Sequence, residues 1–126
     1  MNYKTDQEKF WAGEFGDEYT DRNNVAELIA IRTHAFAKIF SKTERINSAL
    51  EFGANIGDNL LAIRNLIPSC SFSAIEINSK AAEILKSIPK TTVHLGSIFD
   101  FTPQDIGKHD ITFTCHVLIH INPEML

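Results

Sequence analysis

The chain has 126 residues, of which 44% are hydrophobic and 22% charged, so length and composition predict one compact domain and exclude a disordered or low-complexity chain. Sixteen acidic against twelve basic side chains give a net charge of -4, which argues against nucleic acid and anionic membranes as partners. Two widely spaced cysteines and no apolar stretch of ~18 residues predict a cytoplasmic protein without disulfides, structural zinc or a membrane span.

Residues 1–24 are predicted to form an arm of short helical pieces ahead of a domain over residues 25–126. The arm carries many charges, two glycines and five aromatic side chains without a sustained period. Among the aromatics, Trp11, Phe15 and Tyr19 fall four apart. That spacing fits either a helix face packed on the core or a lid over a ligand.

Apolar positions spaced by three and four predict an amphipathic helix of about 17 residues from Val25, capped by Asn24. The apolar run from Ile46 to Phe52 then predicts a short strand buried on both faces. Helical spacing returns after Gly57 and ends at Pro68, which cannot continue a helix.

The alternation of strand and helix continues to the end of the chain. Strands are predicted at 72–76, 91–95 and 110–116, with a helix capped by Ser79 running to Pro89 between the first two. Strands joined by helical crossovers form a parallel sheet covered on both faces. The predicted fold is therefore a doubly wound α/β domain, whose ligands bind beyond the carboxyl ends of the strands.

The first predicted strand ends in a turn with the spacing E-x-G-x-N-x-G-x-N over residues 51–59. Gly53 permits a tight turn and close backbone approach, and Gly57 allows a helix to start directly behind it. Asn55 stands between these glycines, so the pattern departs from the G-x-G-x-x-G of nicotinamide-binding domains. Glu51 would repel a pyrophosphate and attract an ammonium, which indicates a cationic ligand.

Glu76 ends the second predicted strand, at the distance along the chain where an acidic side chain binds ribose hydroxyls in such folds. The alternative is a solvated acid at the start of the next helix. Agreement between the strand-end position and the glycine turn favours ribose binding.

Four motifs in order resemble those of class I S-adenosylmethionine-dependent methyltransferases, which have a Rossmann-like fold. They lie at residues 51–57, 74–78, 96–100 and 109–121. More narrowly, the arm over residues 9–23 and the Gly-Ala-Asn-Ile-Gly turn resemble methylases associated with pseudaminic acid biosynthesis. The resemblance implies S-adenosylmethionine as cofactor and transfer of a methyl group to a small acceptor, with a sugar or sugar nucleotide of that pathway as the indicated acceptor.

The resemblance also implies the cofactor contacts. Glu51 and the Gly53 backbone would hold the methionine end, and Glu76 would bind both ribose hydroxyls. Ser97 stands where many relatives have an aspartate facing the adenine amino group, so that contact would be weaker or fall to the Ile98 backbone. The full implied cofactor set is Glu51, Gly53, Ala54, Asn55, Gly57, Asn59, Glu76, Ile77, Ser97, Ile98 and His116.

Catalytic and acceptor-binding roles are less defined by the sequence. His116 and His120 are candidate bases, because histidine titrates near neutrality; their alternatives are a pocket wall and a surface residue. Tyr19 and Arg22 could touch the substrate. His116, His120 and Glu124 fall four apart like metal ligands on a helix, but Pro123 interrupts that run, so no metal is expected.

The resembled family has seven strands and this sequence predicts four, so a truncated chain is expected. The order 3-2-1-4 would leave the fourth strand as an unpaired apolar edge that invites self-association. Two functions stay open: a methyltransferase or its cofactor-binding part, and a non-catalytic module that uses this edge to bind a partner. A nicotinamide-binding fragment is disfavoured by the glycine spacing and by Glu51.

Overall fold

The computed structural model describes residues 2–22 and 25–126, without the side chains of residues 21 and 22. Within these residues the chain folds as a parallel sheet with helical crossovers. In chain order the elements are α1 (Asp6–Ala12), α2 (Glu14–Arg22), α3 (Val25–Phe40), β1 (Ser48–Phe52), α4 (Asp58–Leu66), β2 (Ser71–Glu76), α5 (Ser79–Lys86), β3 (Thr91–Leu95), α6 (Pro103–Ile106) and β4 (Ile111–Thr114), followed by two short 3-10 turns.

The sheet has the strand order β3-β2-β1-β4, and every pairing is parallel. This confirms the predicted order and the α/β class. Ala49 pairs with Phe72 on one side and with Ile111 on the other. Because all strands run the same way, the loops that follow them meet along one edge of the sheet.

The core lies around the two central strands. Residues 49–51 of β1 and 72–76 of β2 are buried without a break, which means that both faces of these strands are covered. Helix α3 packs on α4, and α5 packs on β2 and β3. Leu60, Ile63 and Leu85 are among the largest fully buried side chains.

Several predicted boundaries move by a few residues. Asn78, and not Ser79, caps α5: its side chain accepts the Ala81 N–H at 2.9 Å, which leaves Ser79 inside the helix. Strand β4 is shorter than predicted, because His116 has a φ of +59° and cannot continue an extended chain. The predicted cap at Asn24 lies outside the described residues.

The arm is more regular than the sequence suggested. Gly13 ends α1 with extended dihedral angles, and α2 starts at the next residue. The short helix α6 was not predicted, although its capping box of Thr102 and Asp105 was readable in the sequence. Both cysteines are free. No helix in the described part of the chain has the length and apolar character needed to cross a membrane.

Candidate functional site

One large cavity of about 880 Å³ opens at the carboxyl edge of the sheet. This volume lies within the usual range for sites that take small molecules. Its lining comes from the loops after all four strands, from the arm and from α3. The lining includes Glu51, Gly53, Ala54, Asn55, Asn59, Glu76, Ile77, Ser97, Ile98, His116, His120 and Tyr19 from the predicted set.

Glu51 places a carboxylate at the end of β1 with only 1% of its surface exposed. Its Oε1 accepts a 2.7 Å hydrogen bond from Asn59 Nδ2. Its Oε2 is buried and has no hydrogen-bond partner within the described residues. Burial raises the pKa of Glu51 well above its ordinary value, with Asn59 opposing the shift. An unpaired oxygen of this kind is available to a ligand that donates hydrogen bonds.

The turn after β1 needs left-handed backbone at two positions that face the cavity. Gly53 has a φ of +73°, and a Cβ there would lie 2.3 Å from Val117 Cγ2. Asn55 has a φ of +49°, a region that asparagine tolerates better than most residues. This explains how asparagine can stand between the two glycines. Gly57 does not line the cavity; a Cβ there would meet Ile88 Cδ1 at 2.4 Å.

Glu76 is held by the backbone of two loops. Its Oε2 accepts the Asn55 N–H at 2.6 Å, and its Oε1 accepts the Asn78 N–H at 2.8 Å. The residue is 7% exposed, so the alternative of a solvated acid at a helix start is wrong. Burial raises the pKa of Glu76, and the backbone hydrogen bonds oppose that rise.

Ser97 follows β3 and is 4% exposed. Its hydroxyl is hydrogen-bonded to the carboxylate of Glu8, a residue of α1 that also lines the cavity. Its backbone N–H donates to Asp100 Oδ2 at 3.1 Å. Sequence reasoning missed Glu8, since nothing in the arm's pattern marks that residue as facing a loop that follows it by 89 positions.

Arg32 of α3 brings a positive charge to the same cavity and was also missed. Its Nε lies 3.7 Å from Asp58 Oδ2 and, although buried, makes no hydrogen bond in the described part of the chain. A signal was present in the sequence. Arg32 interrupts the apolar face that runs from Leu28 to Phe36 at four-residue steps, and a charge on such a face is rarely buried unless it has a partner.

The arm contacts the loops after all four strands. Thr20 Oγ1 donates to Asn55 Oδ1 at 3.3 Å, and Lys4 Nζ lies 3.0 Å from Asp100 Oδ1. The Trp11 ring packs on the His120 imidazole with centroids 4.7 Å apart. Tyr19 joins the same aromatic cluster, 5.3 Å from Trp11. The side chain of Arg22, predicted to touch substrate, lies outside the described residues.

The two candidate bases stand in exposed positions. His116 lines the cavity with left-handed backbone, and His120 is one wall of the aromatic cluster. Neither imidazole has a hydrogen-bonded carboxylate among the residues that the structure describes. Across those same residues no group of three histidine, cysteine, aspartate or glutamate side chains converges as metal ligands would.

Structural comparison identifies the fold. The chain is similar to the plantazolicin methyltransferase BpumL in complex with SAH, with a TM-score of 0.61 and 16% identity over 86% of this chain and 44% of that one. The chain has a Rossmann-like methyltransferase fold. It is also similar to the N-terminal domain of EvdMO1 with SAH bound, with a TM-score of 0.61 and 19% identity over 75% of this chain and 40% of that domain's chain.

A third solved structure, coclaurine N-methyltransferase with N-methylheliamine and SAH, aligns with a TM-score of 0.53 and 15% identity over 69% of this chain and 26% of that one. No family profile matches the sequence. Among curated proteins, the genome polyprotein of Ornithogalum mosaic virus is 29% identical over 108 residues, which are 86% of this chain and 8% of the polyprotein. The chain therefore spans less than half of the length of each of these proteins.

Proposed function

We propose that the chain binds S-adenosylmethionine and forms the cofactor-binding part of a methyltransferase that acts on a small acceptor. The observation that carries this proposal is the buried Oε2 of Glu51, which lines the cavity and has no hydrogen-bond partner among the residues that the structure describes. A buried carboxylate oxygen without a partner is costly unless a ligand supplies a donor. The α-ammonium of S-adenosylmethionine is such a donor, and the fold shared with SAH-bound proteins supports the same ligand.

The rest of the ligand can be matched to charges that surround it. The Arg32 guanidinium, whose Nε makes no hydrogen bond among the described residues although it lies 3.7 Å from Asp58 Oδ2, would pair with the α-carboxylate. Each oxygen of Glu76 accepts one backbone N–H and keeps a free lone pair. Those lone pairs would accept hydrogen bonds from the two ribose hydroxyls. In this arrangement Glu51 and Arg32 would bind the amino-acid part of the ligand, and Glu76 would bind its ribose.

S-adenosylmethionine would supply an electrophilic methyl group on a sulfonium, which leaves as a neutral thioether. The chain's task is to position the reactants, which can contribute on the order of 7–11 kcal/mol to lowering a barrier between two bound molecules. The arm would serve as a lid that excludes water, because Trp11 and Tyr19 line the cavity from above the strand ends. We place the lid at residues 1–24 and the cofactor domain at residues 25–126.

The acceptor is proposed from the sequence resemblance of the arm and the Gly53–Gly57 turn: a sugar or sugar nucleotide of the pseudaminic acid pathway. Tyr19 at the cavity and Arg22 on the same helix are the proposed acceptor contacts. The N-terminal domain of EvdMO1, which has a similar fold, has been crystallised in the presence of SAH and D-fucose. His116, which lines the cavity, is the proposed base for an oxygen nucleophile, with His120 as the second candidate.

A second candidate function uses the sheet edge. Within the described strands β4 is the last of the sheet and pairs only with β1, and the exposed Leu118 and Ile119 follow it. An open edge of this kind can pair with another strand. On this alternative the chain is a non-catalytic module that binds a partner or a second copy of itself through β4.

Calorimetric titration of the chain with S-adenosylmethionine, SAH and NADH separates the two functions. We expect micromolar binding of the first two ligands, none of NADH, and a loss of about 10- to 100-fold in Glu76→Ala because charged hydrogen bonds to the ribose are lost. Glu83→Ala, on the exposed face of α5, is the matched control and should bind normally. A folded chain that binds neither sulfur nucleoside would overturn the proposal.

A further inference from the structure

The cavity holds a third carboxylate beyond Glu51 and Glu76, and it comes from the arm. Glu8 of α1 reaches the loop after β3, where its carboxylate accepts the Ser97 hydroxyl hydrogen bond and the Lys4 backbone N–H. Glu51, Glu76 and Glu8 therefore stand at the ends of three adjacent strands. Neighbouring strands lie roughly 4.8 Å apart, so this row spans about 10 Å.

A ligand stretched along this row would meet an acceptor at each strand. Under the proposed function, the ammonium lies at β1 and the ribose at β2, which directs the base toward β3. The adenine ring carries one amino group that donates hydrogen bonds. An ionised carboxylate accepts only, with about four lone-pair directions, and the contacts described for Glu8 use two of them.

The loop after β3 has a carboxylate of its own, Asp100, but its oxygens are already paired. Asp100 accepts the Ser97 N–H on Oδ2 and pairs with the Lys4 ammonium on Oδ1 at 3.0 Å. The Lys4 hydrogen bond lowers the pKa of Asp100, as expected for a group held in its charged form. Asp100 does not line the cavity, whereas Glu8, Ser97 and Ile98 do.

We propose that Glu8, positioned by the Ser97 hydroxyl, accepts a hydrogen bond from the 6-amino group of the adenine base, so that the arm closes preferentially over an adenine nucleoside. This rests on the proposed function and goes beyond it by assigning base recognition to the arm. Ser97 carries a hydroxyl at the position where many members of the resembled family have an aspartate that faces the adenine amino group. The Ser97–Glu8 pair supplies that carboxylate from a helix that lies 89 positions earlier in the chain.

The test compares SAH with S-inosylhomocysteine, which carries an oxygen in place of the 6-amino group. We expect the wild-type chain to prefer SAH by about 10- to 100-fold, since a hydrogen bond to a charged group is lost and two acceptors face each other. Glu8→Ala should reduce that preference to less than about threefold, and Glu8→Gln, which keeps a neutral acceptor, should give an intermediate ratio.

Two further variants separate recognition from support of the arm. Glu8→Ala combined with Ser97→Asp moves the carboxylate onto the β3 loop and should restore the preference for SAH. Glu14→Ala removes the same side chain from an exposed position on the arm outside the cavity and should leave the preference unchanged. Circular dichroism confirms that each variant is folded.

The outcomes are distinct for the two proposals. Weaker binding of both nucleosides in Glu8→Ala, with the ratio preserved, would overturn the assignment of Glu8 and leave it a support of the arm. Failure of the wild-type chain to bind either nucleoside would overturn the proposed function itself. Restored preference in the double variant supports the assignment, because that variant returns a carboxylate to the same end of the cavity.

Discussion

Asn78, in the loop after β2, is joined to Asp17 on the arm by a hydrogen bond of 2.8 Å from Nδ2 to Oδ1. The same Nδ2 lies 3.2 Å from the Trp11 carbonyl, and the Asn78 backbone N–H donates to Glu76. Asn78 is 3% exposed. One buried side chain therefore links the arm to the loop that holds the Glu76 carboxylate.

Replacing Asn78 by aspartate should release the arm while leaving α5 capped. The new carboxylate keeps an oxygen that accepts the Ala81 N–H, but it lacks both N–H donors of the amide and faces Asp17 with a like charge. We expect the free energy of unfolding to fall by about 1–3 kcal/mol and the emission of Trp11, the only tryptophan, to shift to longer wavelength. Asn78→Asp with Asp17→Asn reverses the donor and acceptor and should restore the emission; an unchanged spectrum in the single variant would contradict this role.

Protonation of Glu51 should make stability and ligand binding respond to pH in opposite directions. Burial raises its pKa above 4.5, so between that value and the raised pKa the folded chain keeps a proton that the unfolded chain has lost. The stability of the free chain therefore falls as pH rises through this window. An ammonium ligand needs the carboxylate, so its affinity rises over the same window and protons are released on binding.

Urea denaturation across this window, and calorimetry in buffers of different ionisation enthalpy, measure the two effects. Glu51→Gln should flatten much of the stability profile and abolish most of the proton release. A smaller slope should persist, because burial also raises the pKa of Glu76. Stability that increases with pH in this window would show that neither buried carboxyl keeps its proton in the folded chain.

Removing the Arg32 charge should affect only ligands that carry a carboxylate. We expect Arg32→Met to weaken SAH binding by about 10- to 100-fold, the effect of losing a charged hydrogen bond. Binding of 5′-deoxy-5′-methylthioadenosine, which lacks the amino-acid part, should change by less than about threefold. Lys38→Met removes the same charge from an exposed position on α3 and is the matched control. Equal losses for both ligands would mean that Arg32 acts on the fold through Asp58.

Alanine substitutions at Gly107 and Gly53, which both have a positive φ, compare the cost of backbone strain alone with the cost of strain plus steric overlap. Gly107→Ala, at φ +80° and ψ −171° with open space around it, should cost about 1–3 kcal/mol, because this backbone conformation is essentially restricted to glycine. Gly53→Ala, at φ +73°, adds an overlap with Val117 Cγ2 at 2.3 Å, and overpacking costs a further ~1–3 kcal/mol. Urea denaturation gives both values, and Gly53→Ala should also weaken SAH binding. Equal costs would show that Val117 moves aside freely.

Local patterns were sufficient to predict the sheet. The apolar run from Ile46 to Phe52 indicated a strand buried on both faces, residues 72–76 indicated a second strand, and the helical spacing between them required a parallel crossover. Boundaries were less accurate where a single side chain decides them. The sequence analysis placed the cap of α5 at Ser79, whereas the hydrogen bond from the Ala81 N–H shows that Asn78 is the cap.

The sequence by itself determined the α/β fold and the acidic residues at the strand ends, because both follow from short-range periodicity and from the common direction of parallel strands. The strand order came from the resemblance to class I methyltransferases. Only the tertiary structure decided what lies opposite those residues. The contacts of Glu8 with Ser97 and of Asp17 with Asn78 join positions 89 and 61 residues apart. Such contacts depend on how the arm folds back over the sheet, and no local pattern records that path.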